Sequence, residues 1–487
     1  MLAKKKYLFF LMVFLTPVLL FLKSFSAYFS QDDFFRLRAS QISSLTEIGK
    51  FFSFSAIRGY AFYRPLPREV FSFMMWHLFG LNPFPYHLFQ FFIYIFNLFL
   101  IDKLFSKLID NNFKGKEKVR CLVIFLYVIS AVNLGTFYYL SSLEILLAMT
   151  FILLTITCFI TGKYLKSFLF CLLSLMCHEI SYVSPVFLLV FTFVLRKNRP
   201  NLKTILPFFT VTFLTAWLNI SQIRLPSQKE YLPEFSFLRP INNLFWYFIW
   251  SLGIPEHMLD FVGHGLKINP KIIRQYPLYF WTMSLTFSGL IAGLISSLIS
   301  LLMNSFVKTL KGSTDKKFWR YLFLAVFWYL TGISFFLFFG SHRFIYYLIF
   351  SQVGTCFALA LLISRLSLKS SLIVLILFFV LNFNTIKWGE KTYWALGRSR
   401  LAKKLTTEIK TAYPTFPKGA IIWLKDDPSY LSPGPDWGGT AKQAYIALSG
   451  SDGIQLLYND FSLKVYYEGD LLPPKTDQVF EFKVKAF

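Results

Sequence analysis

The sequence predicts an all-α polytopic membrane protein that ends in a small extracytoplasmic domain containing β-strands. Composition gives two reasons: 55% of the 487 residues are hydrophobic and only 15% are charged, whereas soluble globular domains carry about 25% charged residues. The third reason is the pattern, because long apolar runs alternate with short basic loops. A mean hydropathy of +0.52 agrees with a chain that resides in a bilayer.

The formal net charge of +25 raises the question of nucleic-acid binding. Many of the Lys and Arg residues lie in short loops between apolar runs, which is the topology signal of a membrane protein and not a basic recognition face. We therefore expect no nucleic-acid partner. The five cysteines lie within or beside apolar segments, so buried structural thiols are expected and no disulfide framework or CxxC site follows.

A bilayer core of about 30 Å needs about 20 apolar residues for each crossing helix. With this length the sequence predicts about eleven transmembrane helices. They lie near residues 7–23, 84–106, 119–137, 142–161, 165–178, 180–195, 203–220, 277–303, 319–339, 344–364 and 370–386. The first span resembles an uncleaved signal peptide, and we expect it to be retained, although Ser24-Phe25-Ser26 offers a cleavage pattern.

Basic residues set the predicted orientation of these spans. Three lysines, Lys4 to Lys6, precede the first span, and further basic clusters fall in every second connection, which places the N-terminus in the cytoplasm. This parity requires residues 221–276 to stay outside, so the short apolar stretch 241–254 is predicted to be a half-span or an interfacial helix. The C-terminus is then extracytoplasmic, and the expected location is the cell (plasma) membrane.

The predicted domain organisation has three parts. Residues 1–386 form a transmembrane domain with a large first outside loop, residues 24–83. Residues 387–410 are an amphipathic connecting helix, and residues 411–487 are a small extracytoplasmic α/β or β domain. The predicted strands of this last domain are the runs 420–424, 444–448, 455–458, 463–467 and 479–484, which turn residues separate.

Two adjacent carboxylates, Asp32 and Asp33, stand just beyond the first span. On a helix, neighbouring side chains point about 100° apart, so the two cannot share one target. One would face the chemistry and the other the scaffold or a cation. A carboxylate near apolar walls has a raised pKa and is a better base. The alternative interpretation is a solvated loop pair or a helix N-cap.

The same loop contains Arg64 between an aromatic residue, Tyr63, and Pro65. An arginine held stiffly in this way suits bidentate binding of an anionic head group. The alternative is an interfacial anchor beneath lipid phosphates.

Two further polar pairs lie at the outer ends of predicted spans. His178-Glu179 could orient a catalytic carboxylate, a metal or a phosphate, because ionisable groups at membrane depth are costly; a structural contact between helices is the alternative. His342-Arg343 forms a short outer connection. An arginine on the outer side is unusual and indicates an anionic partner. That partner would be a bound phosphate or, if the side chain snorkels, the lipid head groups.

Together these stretches resemble the GT-C superfamily of membrane glycosyltransferases, especially the branch of protein O-mannosyltransferases, aminoarabinose transferases of lipid A and RgtA/B/C/D-like enzymes. The resembling motifs are Asp32-Asp33, Tyr63-Arg64-Pro65-Leu66, Cys177-His178-Glu179 followed by Pro185, and His342-Arg343-Phe344-Ile345-Tyr346-Tyr347. They follow the family's order and spacing over residues 7–350. Family members often have Lys-Glu where this chain has His178-Glu179, and the tail from residue 411 corresponds to no known family domain.

The resemblance implies a GT-C-like fold and an enzyme that moves a hexosyl or pentosyl group from a polyprenyl-phosphate donor to an acceptor hydroxyl outside the cell. The acceptor would be a glycan, a lipid or a protein, and membrane lipids would surround the enzyme. By the same resemblance Asp32 is the catalytic base and Asp33 supports it. The other implied site residues are Arg343, Arg64 and His342 for the donor phosphate, and His178, Glu179 and Tyr63 in support. A divalent metal at Asp32 and Asp33 is compatible with the resemblance but not implied by it.

Two other classes of function remain open at the sequence level. A multi-span transporter or lipid flippase would place charged residues or broken helices at mid-membrane, where this sequence has few ionisable residues. A non-catalytic membrane scaffold would use the C-terminal tail as its binding module.

Overall fold

The structure is a computed structural model that describes residues 2–54, 62–195, 202–222, 234–310, 316–340, 342–430, 438–470, 472–474 and 479–485. The α-helices are α1 Leu2–Phe21, α2 Asp32–Ala39, α3 Ser72–Phe79, α4 Pro83–Leu108, α5 Lys116–Ile129, α6 Asn133–Tyr138, α7 Leu143–Ile160, α8 Tyr164–Leu175, α9 Ser184–Leu195, α10 Leu202–Gln222, α11 Leu238–Leu252, α12 Lys271–Gln275, α13 Pro277–Leu310, α14 Lys316–Ile333, α15 Leu348–Ser364, α16 Leu368–Thr392, α17 Trp394–Ala412, α18 Thr440–Leu448 and α19 Asp452–Tyr458. The strands are β1 Ile421–Lys425, β2 Lys464–Tyr467 and β3 Val479–Lys483.

Short 3-10 turns join many of these helices, and one wide π-type turn, Pro65–Phe71, leads into α3. The 3-10 turns are Leu22–Ser26, Leu45–Phe52, Leu140–Ser142, Glu179–Val183, Glu256–Phe261, His264–Leu266, Ser334–Phe338 and Ile345–Tyr347. Such turns reorient the chain within three to eight residues, which keeps the helix ends close together at the site described below.

Within the described residues, seven helical segments are long and apolar enough to cross a membrane. They are Pro83–Leu108, Leu140–Ile160, Lys203–Ser221, Pro277–Met303, Lys316–Phe338, Ile345–Ser364 and Leu368–Ala412, the last of which contains α16 and α17. Each coincides with a predicted span. The prediction of a largely helical chain with membrane-spanning helices is therefore confirmed, whereas the number of about eleven is not.

Three predicted spans fall short of a full crossing by length. The stretch 119–137 is broken because the chain becomes extended after α5, at Ser130, and starts α6 anew at Asn133. The stretches 165–178 and 180–195 correspond to the short apolar helices Tyr164–Leu175 and Glu179–Val194. The predicted span 7–23 overlaps α1, which has 20 residues and whose described apolar segment is Leu11–Leu20. The predicted half-span at 241–254 is α11, which has 15 residues.

Helices α14 and α15 pack closely because small and polar residues lie at their contact. A Cβ on Gly354 would lie 2.6 Å from the backbone N of Tyr329 and 2.7 Å from the carbonyl of Ala325, so only glycine allows this approach. Deeper in the bundle, Gln352 Nε2 donates to the carbonyl of Ser251 at 2.9 Å. This hydrogen bond links α15 to the end of α11 and helps to fix the register of the two helices.

The C-terminal region, from α17 to β3, folds as a small α/β unit, hereafter the C-terminal unit. Its three-stranded sheet is parallel, with the order β2-β1-β3, and Ile422 and Leu424 of the central strand are fully buried. The predictions of strands at 420–424, 463–467 and 479–484 are confirmed. Those at 444–448 and 455–458 are wrong, because these residues lie in α18 and α19. Burial in α18 recurs with the helical period, at Ala441, Ala444 and Leu448.

One hydrophobic core joins this C-terminal unit to the first loop. Phe34 and Leu37 of α2 belong to the same buried cluster as Leu405 of α17, Ile422 of β1 and Leu448 of α18. Helix α2 therefore rests on the C-terminal unit, although more than 350 residues separate the two in sequence. This packing decides where the carboxylates at the start of α2 are directed.

Candidate active site

The first turn of α2 carries Asp32 and Asp33, which suits the positive end of the helix dipole. The preceding residue, Gln31, has φ +47° and ψ −112°, a left-handed conformation that is costly for a residue with a Cβ. This sharp turn redirects the chain from the end of the first helical segment into α2. Asp32 and Asp33 are neighbours on α2, so their side chains point about 100° apart.

Asp33 is directed into the protein. Its Oδ1 accepts a hydrogen bond from Ser141 Oγ at 2.6 Å and its Oδ2 accepts one from the backbone N–H of Ser30 at 2.9 Å. Burial raises the pKa of Asp33 to about 6, even though these two hydrogen bonds act in the opposite direction. Asp33 thus anchors the loop to the chain segment before α7.

Asp32 is directed into a cavity of about 410 Å³, hereafter the main cavity. The hydroxyl of Tyr139 donates a hydrogen bond to Asp32 Oδ2. Ser449 of the C-terminal unit also lines this cavity. The complete lining is Asp32, Phe35, Arg36, Phe62, Arg64, Arg68, Tyr139, Ser141, Glu144, Ile145, His178, His342, Tyr346, Tyr347 and Ser449.

A network of ion pairs forms much of the wall of the main cavity. Glu144 bridges two arginines, since its Oε2 lies 3.0 Å from Arg36 Nη2 and also pairs with Arg64 Nη1. Arg64 is bound on its other edge by Glu179, with Nε to Oε1 at 3.1 Å and Nη2 to Oε2 at 2.6 Å. The network holds alternating charges in fixed positions, so the field inside the cavity is set before any ligand enters.

Two histidines also face the main cavity. His178 Nδ1 accepts a hydrogen bond from the backbone N–H of Ile180 at 3.1 Å, and its ring thereby caps the turn that carries Glu179. The pKa of His342 is lowered to about 4, mainly by burial and further by the charge of Arg64. His342 is therefore neutral at pH 7, so it can donate or accept a hydrogen bond there without adding a positive charge.

Arg343 lies on the other side of the same connection and lines a second cavity, the Arg343 cavity, of about 590 Å³. Within the described part of the chain, its Nε and Nη1 are buried and have no hydrogen-bond partner. Arg239 and Trp246 line the same cavity, and Arg239 Nε pairs with Glu234 at 2.7 Å. Two guanidinium groups that share a cavity favour an anionic ligand.

The connection between the two cavities is held by a buried acid, Glu256. Its Oε2 accepts a hydrogen bond from the backbone N–H of Ile345 at 2.6 Å, and burial raises its pKa to about 8. Phe344 stacks on Tyr346 with ring centroids 5.3 Å apart. These contacts fix the residues that follow His342 and Arg343, so the two side chains stay directed into different cavities.

The structure brings four of the predicted site residues, Asp32, Arg64, His178 and His342, into the main cavity. The others lie around it. Glu179 lies behind Arg64, Asp33 is directed toward Ser141, and Arg343 lines the second cavity. Tyr63 stacks on Phe54 with centroids 4.1 Å apart and donates its backbone N–H to Asn219 Oδ1 at 3.3 Å, so it supports the loop from outside the cavity.

The two aspartates do not offer one shared metal site. Both carboxylate oxygens of Asp33 accept hydrogen bonds from Ser141 and Ser30, and Asp32 is directed away from them, toward Tyr139. Among the residues that the structure describes, no group of three or more His, Cys, Asp or Glu side chains could hold a metal ion.

Several residues of the main cavity were missed by the sequence analysis. Glu144 could have been found, because it is an acid in the first turn of an otherwise apolar predicted span. Arg36 follows the acidic pair by three and four positions and so lies on the same face of a short helix. Tyr139 and Ser449 carry no local signal, since only tertiary packing brings them to Asp32.

The chain matches no protein-family model, no curated protein and no solved structure. The resemblance to GT-C glycosyltransferases therefore stays a prediction. What the main cavity can do follows from its groups: an acid that can take a proton, guanidinium groups that can stabilise a departing anion, and aromatic rings that limit access of water.

Proposed function

We propose that this protein is a membrane glycosyltransferase that moves a sugar from a lipid-phosphate donor to an acceptor hydroxyl within the main cavity. The observation that carries the proposal is the direction of Asp32, whose carboxylate faces a cavity that three arginines, Arg36, Arg64 and Arg68, also line. A general base and cations that face one enclosed space are what this reaction needs.

The proposed step is a single displacement at the anomeric carbon. The acceptor oxygen forms a bond to that carbon while the bond from the carbon to the phosphate oxygen breaks. The proton of the acceptor hydroxyl passes to the carboxylate of Asp32, and the lipid phosphate leaves with the electron pair as an anion. Tyr139 keeps Asp32 in place through its hydrogen bond, which leaves the other carboxylate oxygen for the acceptor.

The arginines would stabilise the charge that develops on the leaving phosphate. Arg64 is fixed by Glu144 and Glu179, so its contribution comes from the field of a charge that is already held in place. Arg36 shares Glu144 and also donates to the carbonyl of Ser141 at 2.5 Å. Such preorganised charges need no reorientation during the reaction, which is the usual source of electrostatic catalysis.

The lipid part of the donor fits the neighbourhood of the Arg343 cavity. Helix α11, which lines this cavity, exposes Ile241, Phe245 and Phe248 along one face, a pattern typical of a helix that lies at a membrane surface. An anionic head group on an apolar chain would satisfy Arg343 and Arg239 together with that face. We propose that Arg343 binds the donor head group before its phosphate moves into the main cavity. In the chemical step the phosphate lies beside Arg36 and Arg64, and Arg343 takes no part.

The direct test uses protein reconstituted in lipid vesicles with a panel of polyprenyl-phosphate-linked hexoses and pentoses. With a donor that the wild-type protein uses, Asp32→Asn should lower kcat by about 10²- to 10⁴-fold, because the acceptor keeps its proton. Asp470→Asn is the matched control, since Asp470 is an exposed carboxylate of the C-terminal unit. Equal kcat values for the two variants would remove Asp32 as the base.

The same vesicles distinguish the transporter or flippase alternative. Movement of the labelled donor lipid between leaflets, with no transfer of its sugar by wild-type protein to any acceptor offered, would favour that class. Few ionisable side chains lie at mid-span in the described helices, and the charged groups cluster instead at one cavity near the helix ends. This clustering favours a reaction at that cavity over transport of a substrate through the helix bundle.

A further inference from the structure

The C-terminal unit contacts the first loop by hydrogen bonds as well as by the shared core. The backbone N–H of Gln31 donates to the carbonyl of Ala447 at 2.9 Å. Arg38 Nε donates to Gln455 Oε1 at 3.1 Å, and the backbone N–H of Tyr28 donates to Ser399 Oγ at 2.8 Å. These bonds lie on both sides of Asp32 in the sequence, so the segment that carries the base is attached at its start and at its end.

Gln31 is the residue where this attachment matters most. Its φ of +47° is unfavourable for any side chain other than hydrogen, and a conformation of this kind persists only when surrounding contacts hold it. Two contacts do so: the Ala447 carbonyl accepts from its backbone N–H, and Arg398 Nη1 donates to its side-chain Oε1. Both partners belong to the C-terminal part of the chain.

Arg398 is itself held in a fixed position. Its guanidinium lies over the ring of Trp394, 4.8 Å from the centroid, and the Trp394 ring packs against Tyr139 with centroids 5.0 Å apart. Tyr139 in turn donates to Asp32. Arg398 thus contacts, through Gln31 and through Trp394, both groups that set the direction of the Asp32 carboxylate, but it does not line the main cavity.

We propose that Arg398 is a positioning residue for the transfer reaction: with the Ala447 carbonyl it holds Gln31 in its left-handed conformation and so aims Asp32 into the main cavity. This inference rests on the proposed glycosyl transfer and extends it to the C-terminal unit. The unit then forms part of the catalytic machinery and closes the cavity with Ser449, in place of a separate binding module.

The test compares Arg398→Met, Arg398→Lys and Arg400→Met in the reconstituted transfer assay. Arg400 lies on the same helix, is exposed, and in the described part of the chain donates to a backbone carbonyl at 3.5 Å, so it is the matched control. Arg398→Met should lower kcat by about 100-fold with KM changed by less than about twofold, since displacement of a catalytic group by about 1 Å has an effect of this size. Arg398→Lys keeps a donor for Gln31 and should recover about tenfold of the loss.

A double variant with Gln31→Ala makes the test specific for the Gln31–Arg398 contact. Because the two residues act through one hydrogen bond, the double variant should have about the same kcat as Arg398→Met alone. The inference would be overturned if the losses in kcat of the two single variants multiplied in the double variant. It would also be overturned if Arg398→Met had the same kcat as Arg400→Met.

Hydrogen exchange of the α2 amides, measured by mass spectrometry on the same proteins, separates this inference from the proposed function. Arg398→Met should speed exchange in α2 by about tenfold relative to Arg400→Met, whether or not any donor is used. If wild-type protein transfers no sugar but α2 exchanges faster in Arg398→Met, the proposed function fails and the positioning contact stands. If transfer occurs and α2 exchange is unchanged, the positioning contact fails.

Discussion

At the scale of single residues, the position of Asp32 depends on groups that are distant in sequence. Tyr139, which donates to its carboxylate, lies 107 positions away, and Arg398, which holds the preceding residue, lies 367 positions from Gln31. The acidic pair itself was visible in the sequence, as was the expectation that the two carboxylates diverge. Their partners were not, because no local pattern encodes a contact made only in the folded chain.

Tyr139→Phe should lower kcat by about 10- to 100-fold while KM for donor and acceptor stays within about twofold. The loss reflects one hydrogen bond to a charged acceptor, worth about 1.5–3 kcal/mol. The phenylalanine ring keeps the packing against Tyr346, whose centroid is 5.1 Å away, so the fold is retained. The measurement is steady-state kinetics of Tyr139→Phe. The control is Tyr445→Phe, which alters an exposed ring of the C-terminal unit. A kcat for Tyr139→Phe equal to that of the control would contradict it.

Asp33 gives a prediction for the dependence of stability on pH. Its pKa is about 6 in the folded protein and 3.8 for an unperturbed side chain, so the folded state binds the proton more tightly. The ionised carboxylate then destabilises the fold, fully above about pH 6 and not at all below pH 3.8, by about 3 kcal/mol.

Thermal unfolding in detergent should detect this effect. Between pH 7 and pH 4 the wild-type protein should gain stability relative to Asp33→Asn, which is neutral at both values and keeps the size of the side chain. Parallel changes in the two proteins across that range would show that Asp33 is not the group responsible.

At the scale of elements, the connection between α14 and α15 decides how the predicted phosphate-binding residues are used. His342 and Arg343 are neighbours in sequence, yet they line different cavities. They precede an extended residue, Phe344, and the 3-10 turn Ile345–Tyr347. The sequence predicted a tight connection with both residues available for one anion. Only the structure separates them, and it adds Arg239 as a second guanidinium beside Arg343.

Arg343→Ala should raise KM for the lipid-phosphate donor by about 10-fold and change kcat by less than about twofold, since loss of uniform binding affects KM alone. Arg274→Ala removes an exposed arginine of α12 and is the control. The measurement is donor titration in the vesicle assay at a saturating acceptor concentration. A fall in kcat at unchanged KM would instead assign Arg343 to the chemical step.

The apolar pattern predicted the long helices correctly but some short elements wrongly. In the described part of the chain, seven long apolar runs form helices that are long and apolar enough to cross a membrane, at their predicted positions, because a run of about 20 apolar residues has few alternatives. Short apolar runs such as 444–448 are ambiguous between strand and helix. In α18 the buried residues recur with the period of a helix and pack against the sheet. Tertiary packing therefore selected the helix.

At the scale of the whole molecule, two bodies of structure meet at one cavity. The membrane helices supply Tyr139, Glu144 and the residues near His342, whereas the first loop and the C-terminal unit share a core and supply Asp32 and Ser449. The sequence predicted the loop and the tail as separate parts. Their association could not be predicted, because neither the shared apolar core nor the hydrogen bonds between the two parts leave a local signal of a specific partner.

The central claim is that the sugar is transferred at Asp32 in the main cavity. The most direct measurement is a cryo-electron microscopy structure of Asp32→Asn in vesicles or nanodiscs with a polyprenyl-phosphate-linked sugar that the wild-type protein uses. The account predicts density for the sugar between residue 32 and the arginines, with room for an acceptor hydroxyl within about 3.5 Å of the substituted side chain. Sugar density outside the main cavity, with residue 32 facing protein alone, would contradict it.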